Sequence, residues 1–486
     1  MFVYAVDLGT TNVKVVLYDE TLRTLAVSRA AMPYDRAGDR VEFDPEAVFD
    51  LVVSLIARCG TDAQVDPAGR AGIAVTGQAE SLVILDASGR PTRPGISWMD
   101  ERSGVEAAEI ASRFDPAAAF AVTGEPEPTP TWPATKLRWL ARHEPAALAD
   151  ARHVLMIKDY VVFRLTGVAV GEETTRGFTY LYDVTERAYW GEMVEFCGTR
   201  VETLPEPVPA GTDVGAVLPE IAAVLPRAAG YTVNVSALDH FCGMVGTGSY
   251  SRGAVSASAG TVLAIATLAD DWSFDAAAKV SFHAGIRPDE TVLFTCADSG
   301  GVGLDWFQRQ VAGGTLGYDD LERALSSRDH RDAPLFLPYL TGINPPDFNA
   351  AARGAFVDLQ LRHDRVDLAY AVMEGVAHLL RRNLDDLATH GRPAASIVTT
   401  GGGTASRFWN QLKADVCGLE LRATDEPEAA CRGAAILALA ERGVIGSIDD
   451  TASLHAPAEH TYRPRETAHG ARYDAFVDVL QRLYGP

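Results

Sequence analysis

The sequence predicts an α/β protein built from two related domains that face one another across a cleft, and three observations lead there. Its 486 residues, 47% of them hydrophobic, can bury a large core and point to two or three domains. Strand-like apolar runs alternate with helical ones along the chain, the pattern of stacked α and β layers. The opening hairpin, YAVDLGTTNVKVVLYDE from Tyr4 to Glu20, also has an echo in SRGAVSASAGTVLAIATLAD from Ser251 to Asp270: apolar strand, small-residue turn, apolar strand. Two copies about 250 positions apart imply a boundary near residue 245, with domains over 1–245 and 246–486. Taken alone, the second hairpin also reads as an ordinary sheet turn.

The first hairpin carries chemistry. Gly9 permits backbone conformations that a Cβ resists, and Thr10, Thr11 and Asn12 place side-chain donors beside exposed amide N–H groups, so the turn can cradle phosphate oxygens. Lys14 on the return strand adds positive charge, and Asp7, an acceptor only, suits Mg²⁺ directly or through water. An anion cradle beside a carboxylate makes sense when a metal joins them. A plain hairpin with a turn aspartate has the same local pattern.

Further along, AGIAVTG (Ala71 to Gly77) reads as a buried strand, and EPEPTPTWP (Glu125 to Pro133), with four prolines in nine residues, as a loop before a helix starting near ATKLRWLARH. EPAALADARHVLMIKDYVVFRLTG (Glu144 to Gly167) reads as helical material stopped by Gly167, and LPEPVPAG (Leu204 to Gly211) as a connection. YTVNVSAL is an extended run that delivers Asp239. After Gly401 to Gly403, the spacing of Phe408, Trp409, Leu412 and Val416 predicts the buried face of a helix.

Charge narrows the partners. With 43 basic and 65 acidic residues the formal charge is −22, and no basic block is present, which argues against nucleic acid or an anionic membrane as partner. Six scattered cysteines without a C-x-x-C pair signal neither a disulfide framework nor a zinc site and fit buried free thiols in a reducing cytoplasm. No apolar run approaches a membrane span, so a soluble cytoplasmic protein is expected. There is no G-x-x-x-x-G-K-[ST], and the glycine clusters near residues 246, 300 and 401 fail the G-x-G-x-x-G spacing. What remains for phosphate handling is the hairpin type of the actin-like, ribonuclease H-like ATPase domains.

Read together, DLGTTNVK, VTGQAESLVILDASGRPTRPGISWMDERS, ATKLRWL, DHFCGMVGTG, SAGTVLAI, ARGAFVDLQLRH and TTGGGTASRFWNQLKADVCG resemble the FGGY carbohydrate kinases over nearly the whole chain and in the same order. The resemblance implies two actin-like ATPase domains flanking a central cleft. It also implies ATP and Mg²⁺ as cofactors, a small sugar or polyol as partner, and Asp7 and Asp239 beside the metal. Thr10, Thr11, Asn12 and Lys14 match the first phosphate loop, and Gly260 and Thr261 the second. Gly301, Asp305, Gly402 and Ser406 fall at nucleotide contacts. Asp239 matches the base that accepts the proton of the attacking hydroxyl, assistance that typically contributes about 10² to 10⁴-fold.

The sugar is then expected between Asp239, with His240 beside it, and Gln78, Ala79 and Glu80. Where glycerol kinases carry Arg-Glu and xylulokinases Met-His, this chain has Ala79 and Glu80. Thr131, with Trp132 beside it, stands where glycerol kinases present a tyrosine. Loss of the arginine counts against glycerol, while a carboxylate and an indole wall suit a neutral polyhydroxylated substrate. The expected reaction is phosphorylation of a terminal hydroxyl of a small ketose or polyol, a pentulose such as xylulose before erythritol, ribulose or glycerol, and a homodimer is compatible with it. The contrasting readings are an actin-like ATPase conformational module and a sugar-binding regulator; the lack of a helix-turn-helix before the hairpin counts against the second.

Overall fold

The computed structural model describes all residues except 67, 260–262, 270, 271, 273–279, 298, 299, 315, 316, 344–346, 348, 350, 452, 453, 457, 458, 466–468 and 486. Two large sheets repeat one topology. In the first, the strands lie in the order Asp213–Ala216, Gly230–Leu238, Arg70–Gly77, Phe2–Leu8, Asn12–Asp19, Thr24–Ala31. In the second, the order is Ser281–Ala284, Thr291–Ala297, Leu263–Ala269, Ala254–Ala259, Ser396–Thr400, Glu420–Thr424, Glu459–Tyr462. Each contains an antiparallel three-strand meander joined through its first strand to two parallel strands. The echo in the sequence is therefore a repeated unit, and the chain has the α/β, two-domain actin-like architecture expected of it.

The central strands are apolar on both faces because both are covered. On one face of the first sheet lie helices Pro45–Asp62 and Ile157–Thr166, burying Val48, Val52, Leu55, Tyr160 and Val161. On the other lie helix Asp239–Gly246 and, from the second half of the chain, helix Ala429–Glu441. These two helices touch backbone to backbone: a Cβ on Gly433 would lie 1.7 Å from the carbonyl oxygen of Cys242, and one on Gly246 2.1 Å from that of Ala429. Helices Arg365–Thr389, Arg407–Cys417 and His469–Tyr484 pack with the second sheet.

A smaller sheet, in the order Tyr34–Ala37, Arg40–Phe43, Gly95–Ile96, Leu82–Leu85, His153–Met156, stands beside the first. It corrects one expectation. Glu144–Gly167 is not continuous helix but helix Pro145–Ala149, strand His153–Met156 and helix Ile157–Thr166, capped by Gly167 at φ 78°. The apolar HVLM is long enough for one strand, and pairing with Leu82–Leu85 overrides its helical surroundings. Leu204–Gly211 likewise contains a short strand, Glu206–Val208, paired with Val170–Glu172. All six cysteines are free.

Candidate active site

Three parallel neighbours in the first sheet end at the same level, with Leu8 opposite Gly77 and Gly77 opposite Leu238. That register brings Asp7, the segment after Gly77 and Asp239 to one edge, where chain reversals of an α/β sheet leave a crevice. Gly77 is required there: its φ is 155° and a Cβ would meet Leu8 Cβ at 2.6 Å. Lys14 lies opposite Asp7 across the hairpin. A cavity of about 230 Å³ is lined by Asp7, Lys14, Asp239 and His240 from the first half and by Ser256, Ser258, Glu426 and Glu428 from the second.

Its electrostatics are acidic and desolvated. Asp7 is buried, and its Oδ1 has no hydrogen-bond partner. Burial and the neighbouring Asp239 hold the Asp7 carboxyl well above the usual carboxylate range, against the pull of Lys14. Burial also raises Asp239, opposed by the His240 N–H, which donates to Oδ1 at 2.6 Å, and by the charges of Lys158 and Lys14. The Lys14 ammonium is 2.8 Å from Glu428 Oε2, so its charge is shared with the second domain. Two neighbouring carboxyl groups, Asp7 buried with an orphaned oxygen and Asp239 partly buried, form a donor set that fits a hard divalent cation. Among the described residues no group of three or more metal-ligating side chains occurs.

The remaining expected residues fall around this centre. Thr10 Oγ1 accepts from Trp98 Nε1 at 3.1 Å; Thr11 is exposed, and Asn12 opens the return strand. Gln78 is tied internally, accepting from Ser81 Oγ at 2.7 Å and donating to Tyr34 and to Gly9 O, so it links the segment after Gly77 to the opening hairpin. Ala79 is buried in the core. Glu80 has a left-handed backbone, φ 65°, and burial pushes its carboxyl up to about 8, with Lys136 opposing and Asp239 reinforcing the shift. Lys136 is buried and donates to the carbonyls of Pro130 and Thr131; burial lowers it to about 7. His240 is kept neutral, burial lowering it to about 4, and its Nε2 is buried without a partner. Trp132 donates to Glu127 O at 3.0 Å, its ring 6.4 Å from that of Phe178.

Gly301, Asp305, Gly402 and Ser406 come together in a second cavity of about 580 Å³, shared with Tyr318, Glu322 and Trp409. Asp305 accepts from Tyr318 OH at 2.6 Å, and Ser406 both donates to Glu322 and caps helix Arg407–Cys417. Gly260 and Thr261 lie outside the described residues. Trp98, Ser256, Ser258, Glu426 and Glu428 went unread in the sequence; only the acidic DEPE run preceding a helix offered a signal.

Residues 2–246 match the N-terminal domain of the FGGY family of carbohydrate kinases, and residues 261–441 match its C-terminal domain. The chain is 25% identical over 485 residues to the xylulose kinase of Bacillus subtilis (strain 168), covering 99% of this chain and 96% of that one. It is 28% identical over 491 residues to the xylulose kinase of Escherichia coli (strain K12), covering 99% and 98%. The solved structure of xylulose kinase from Rhodospirillum rubrum superposes with a TM-score of 0.89 at 26% identity, covering 100% of each chain. No helix among the described residues is long and apolar enough to cross a membrane.

Proposed function

Because the chain belongs to the FGGY family of carbohydrate kinases, we propose that this sugar kinase phosphorylates a terminal hydroxyl of a pentulose such as xylulose, using ATP with Mg²⁺. The observation that carries the reading is the meeting of Asp7 and Asp239 at the ends of the two strands that flank Arg70–Gly77, in a crevice shared with a second domain that has its own cavity of about 580 Å³. We divide the chain at residues 245 and 246: the first domain holds the sugar and the first phosphate hairpin, the second the nucleotide.

Asp7, with Asp239 beside it, would hold the metal, which supplies charge neutralisation for the polyphosphate. The hairpin amides around Thr10, Thr11 and Asn12 bind phosphate oxygens, with Lys14 adding charge; Gly260 and Thr261, outside the described residues, are assigned to the second phosphate loop by the family resemblance. The purine nucleoside occupies the cavity of Gly301, Asp305, Gly402 and Ser406. Asp239 takes the proton of the attacking hydroxyl, and the raised pKa that burial imposes brings it closer to a working base at neutral pH. Phosphoryl transfer asks mainly for in-line positioning, so the walls matter as much as the base.

The substrate side supports a neutral compound. Glu80 and Asp239 face it with carboxyl groups, and Lys136 has its ammonium on the carbonyls of Pro130 and Thr131, leaving no committed partner for a sugar acid. Glu80 accepts from hydroxyls, Trp132 packs against C–H faces, and His240, neutral, completes the contact. The names of the relatives favour a pentulose. Six free cysteines suit a reducing cytoplasm.

A coupled ADP-release assay with Mg²⁺-ATP against ketopentoses, ketotetroses, deoxy-sugars and C3 to C5 polyols tests this. One neutral compound should raise release far above the no-sugar control. Release that ignores every sugar would refute the reading in favour of an ATPase module.

A further inference from the structure

The strand that delivers Asp239 leaves the sheet just before it does so. From Gly230 to Val235 it pairs in parallel with Arg70–Val75, but the register breaks after Val235 and resumes only at Leu238, opposite Gly77. Ser236 and Ala237, both fully buried, therefore lie outside the regular ladder two and three residues before Asp239.

Side chains take over the backbone groups of this stretch. Lys158 Nζ donates to Ser236 O at 2.6 Å, Thr76 Oγ1 donates to Ala237 O at 2.7 Å, and Leu238 N donates to Thr174 Oγ1 at 2.9 Å. Glu172 couples the first of these bonds to the third, because its carboxylate accepts from Lys158 Nζ and from the N–H groups of Thr174 and Thr175. Thr76, Lys158, Glu172 and Thr174 are all fully buried.

Such a cluster is a poor space-filler. A buried ion pair is often no more stabilising than apolar residues of the same volume, since desolvation offsets the attraction. Three of its bonds here reach three consecutive residues of one strand end, and the others tie the cluster together. We infer that Lys158, Glu172, Thr174 and Thr76 form a clamp that positions Asp239 for phosphoryl transfer. The inference rests on the reading of Asp239 as the base. Where a ladder alone would let the strand end shift with its neighbour Arg70–Gly77, the clamp also ties it to two further elements, helix Ile157–Thr166 and the short helix Glu173–Arg176.

The test uses the full-length protein, the substrate identified in the panel, and four variants: Thr174→Val, Thr174→Ser, Lys158→Met and Asp239→Asn. Thr174→Val keeps the shape but leaves the Leu238 N–H unpaired. It should lower kcat by about 10 to 100-fold, the effect of an ångström-scale misplacement, with both KM values and Mg²⁺-ADP affinity within about threefold. Thr174→Ser should restore most of kcat, and Lys158→Met should act as Thr174→Val does or more strongly. If Lys158→Met does not fold, the threonine pair decides alone. A kcat within threefold of wild type in Thr174→Val, with only the melting temperature lowered, would overturn the clamp, as would failure of the serine to rescue. Asp239→Asn separates the two readings: if it is inactive while Thr174→Val is fully active, the clamp alone falls; if it is active, the base assignment falls and takes the clamp with it.

Discussion

Replacing Gly433 with alanine probes how the two halves are set against each other. The new Cβ would lie 1.7 Å from the carbonyl oxygen of Cys242 and 2.5 Å from its carbon, whereas ordinary contact begins at 3.4 Å, so helices Ala429–Glu441 and Asp239–Gly246 must part by about 1.7 Å at that level. The obstacle is backbone, which has no rotamer to yield. Overpacking of this kind costs about 1–3 kcal/mol. Because Cys242 lies within one helical turn of Asp239, an ångström-scale movement of the base is expected, with kcat down about 10²-fold. Nucleotide affinity should hold, since neither Gly433 nor Cys242 lines the cavity of Gly301 and Ser406. Kinetics at saturating sugar, nucleotide titration and thermal denaturation measure the three effects. A kcat within threefold of wild type, together with an unchanged melting temperature, would refute the reasoning. Gly246→Ala meets Ala429 O at 2.1 Å in the same seam, so the double variant should be less than additive.

Asp239→Asn should keep nucleotide and sugar binding roughly intact while lowering turnover by about 10² or more, checked by steady-state kinetics beside direct binding. Glu80→Gln should alter sugar affinity or selectivity much more than ATP affinity; an unchanged substrate profile would place the sugar elsewhere. The same variant should change the pH dependence of stability without ligands. Glu80 is raised from 4.5 to about 8 in the folded protein, so between those values the unfolded chain ionises first and stability falls as pH rises. Glu80→Gln should flatten that limb, giving roughly 1–3 kcal/mol at pH 8 once water reaching the carboxyl is allowed for. Parallel denaturation curves for both proteins from pH 5 to 8 would exclude a buried, protonated Glu80.

What the sequence disclosed follows the range of the interactions concerned. DLGTTNVK is legible because hairpin, cradle and carboxylate are local, and its copy near residue 255 disclosed the repeated sheet before any pairing was known. Strand His153–Met156 was hidden because four apolar residues between helical stretches carry no period of their own; only Leu82–Leu85 makes them a strand. Glu426 and Glu428 went unread because nothing local shows that Lys14 reaches one of them across the cleft. Lys158 looked like an ordinary polar residue in KDY. Its role depends on Ser236, 78 positions away, and on a break in register that no single stretch records.

The duplication is faithful in topology and unfaithful in one atom group. Asp7 stands two residues before Gly9 in the first hairpin, and at the matching place, two residues before Gly260, the second hairpin has Ser258. Both side chains line the same crevice. A perfect repeat would have added one more carboxylate facing Asp7, and its repulsion, to a crevice already lined by Asp239, Glu426 and Glu428. With an alcohol at this position, the acids of the second wall are Glu426 and Glu428, the latter 2.8 Å from Lys14, and the aspartate pair stays on the first wall. A chain made of two like halves thereby keeps the Asp7–Asp239 pair on one side of its crevice, with no third aspartate opposite among the described residues.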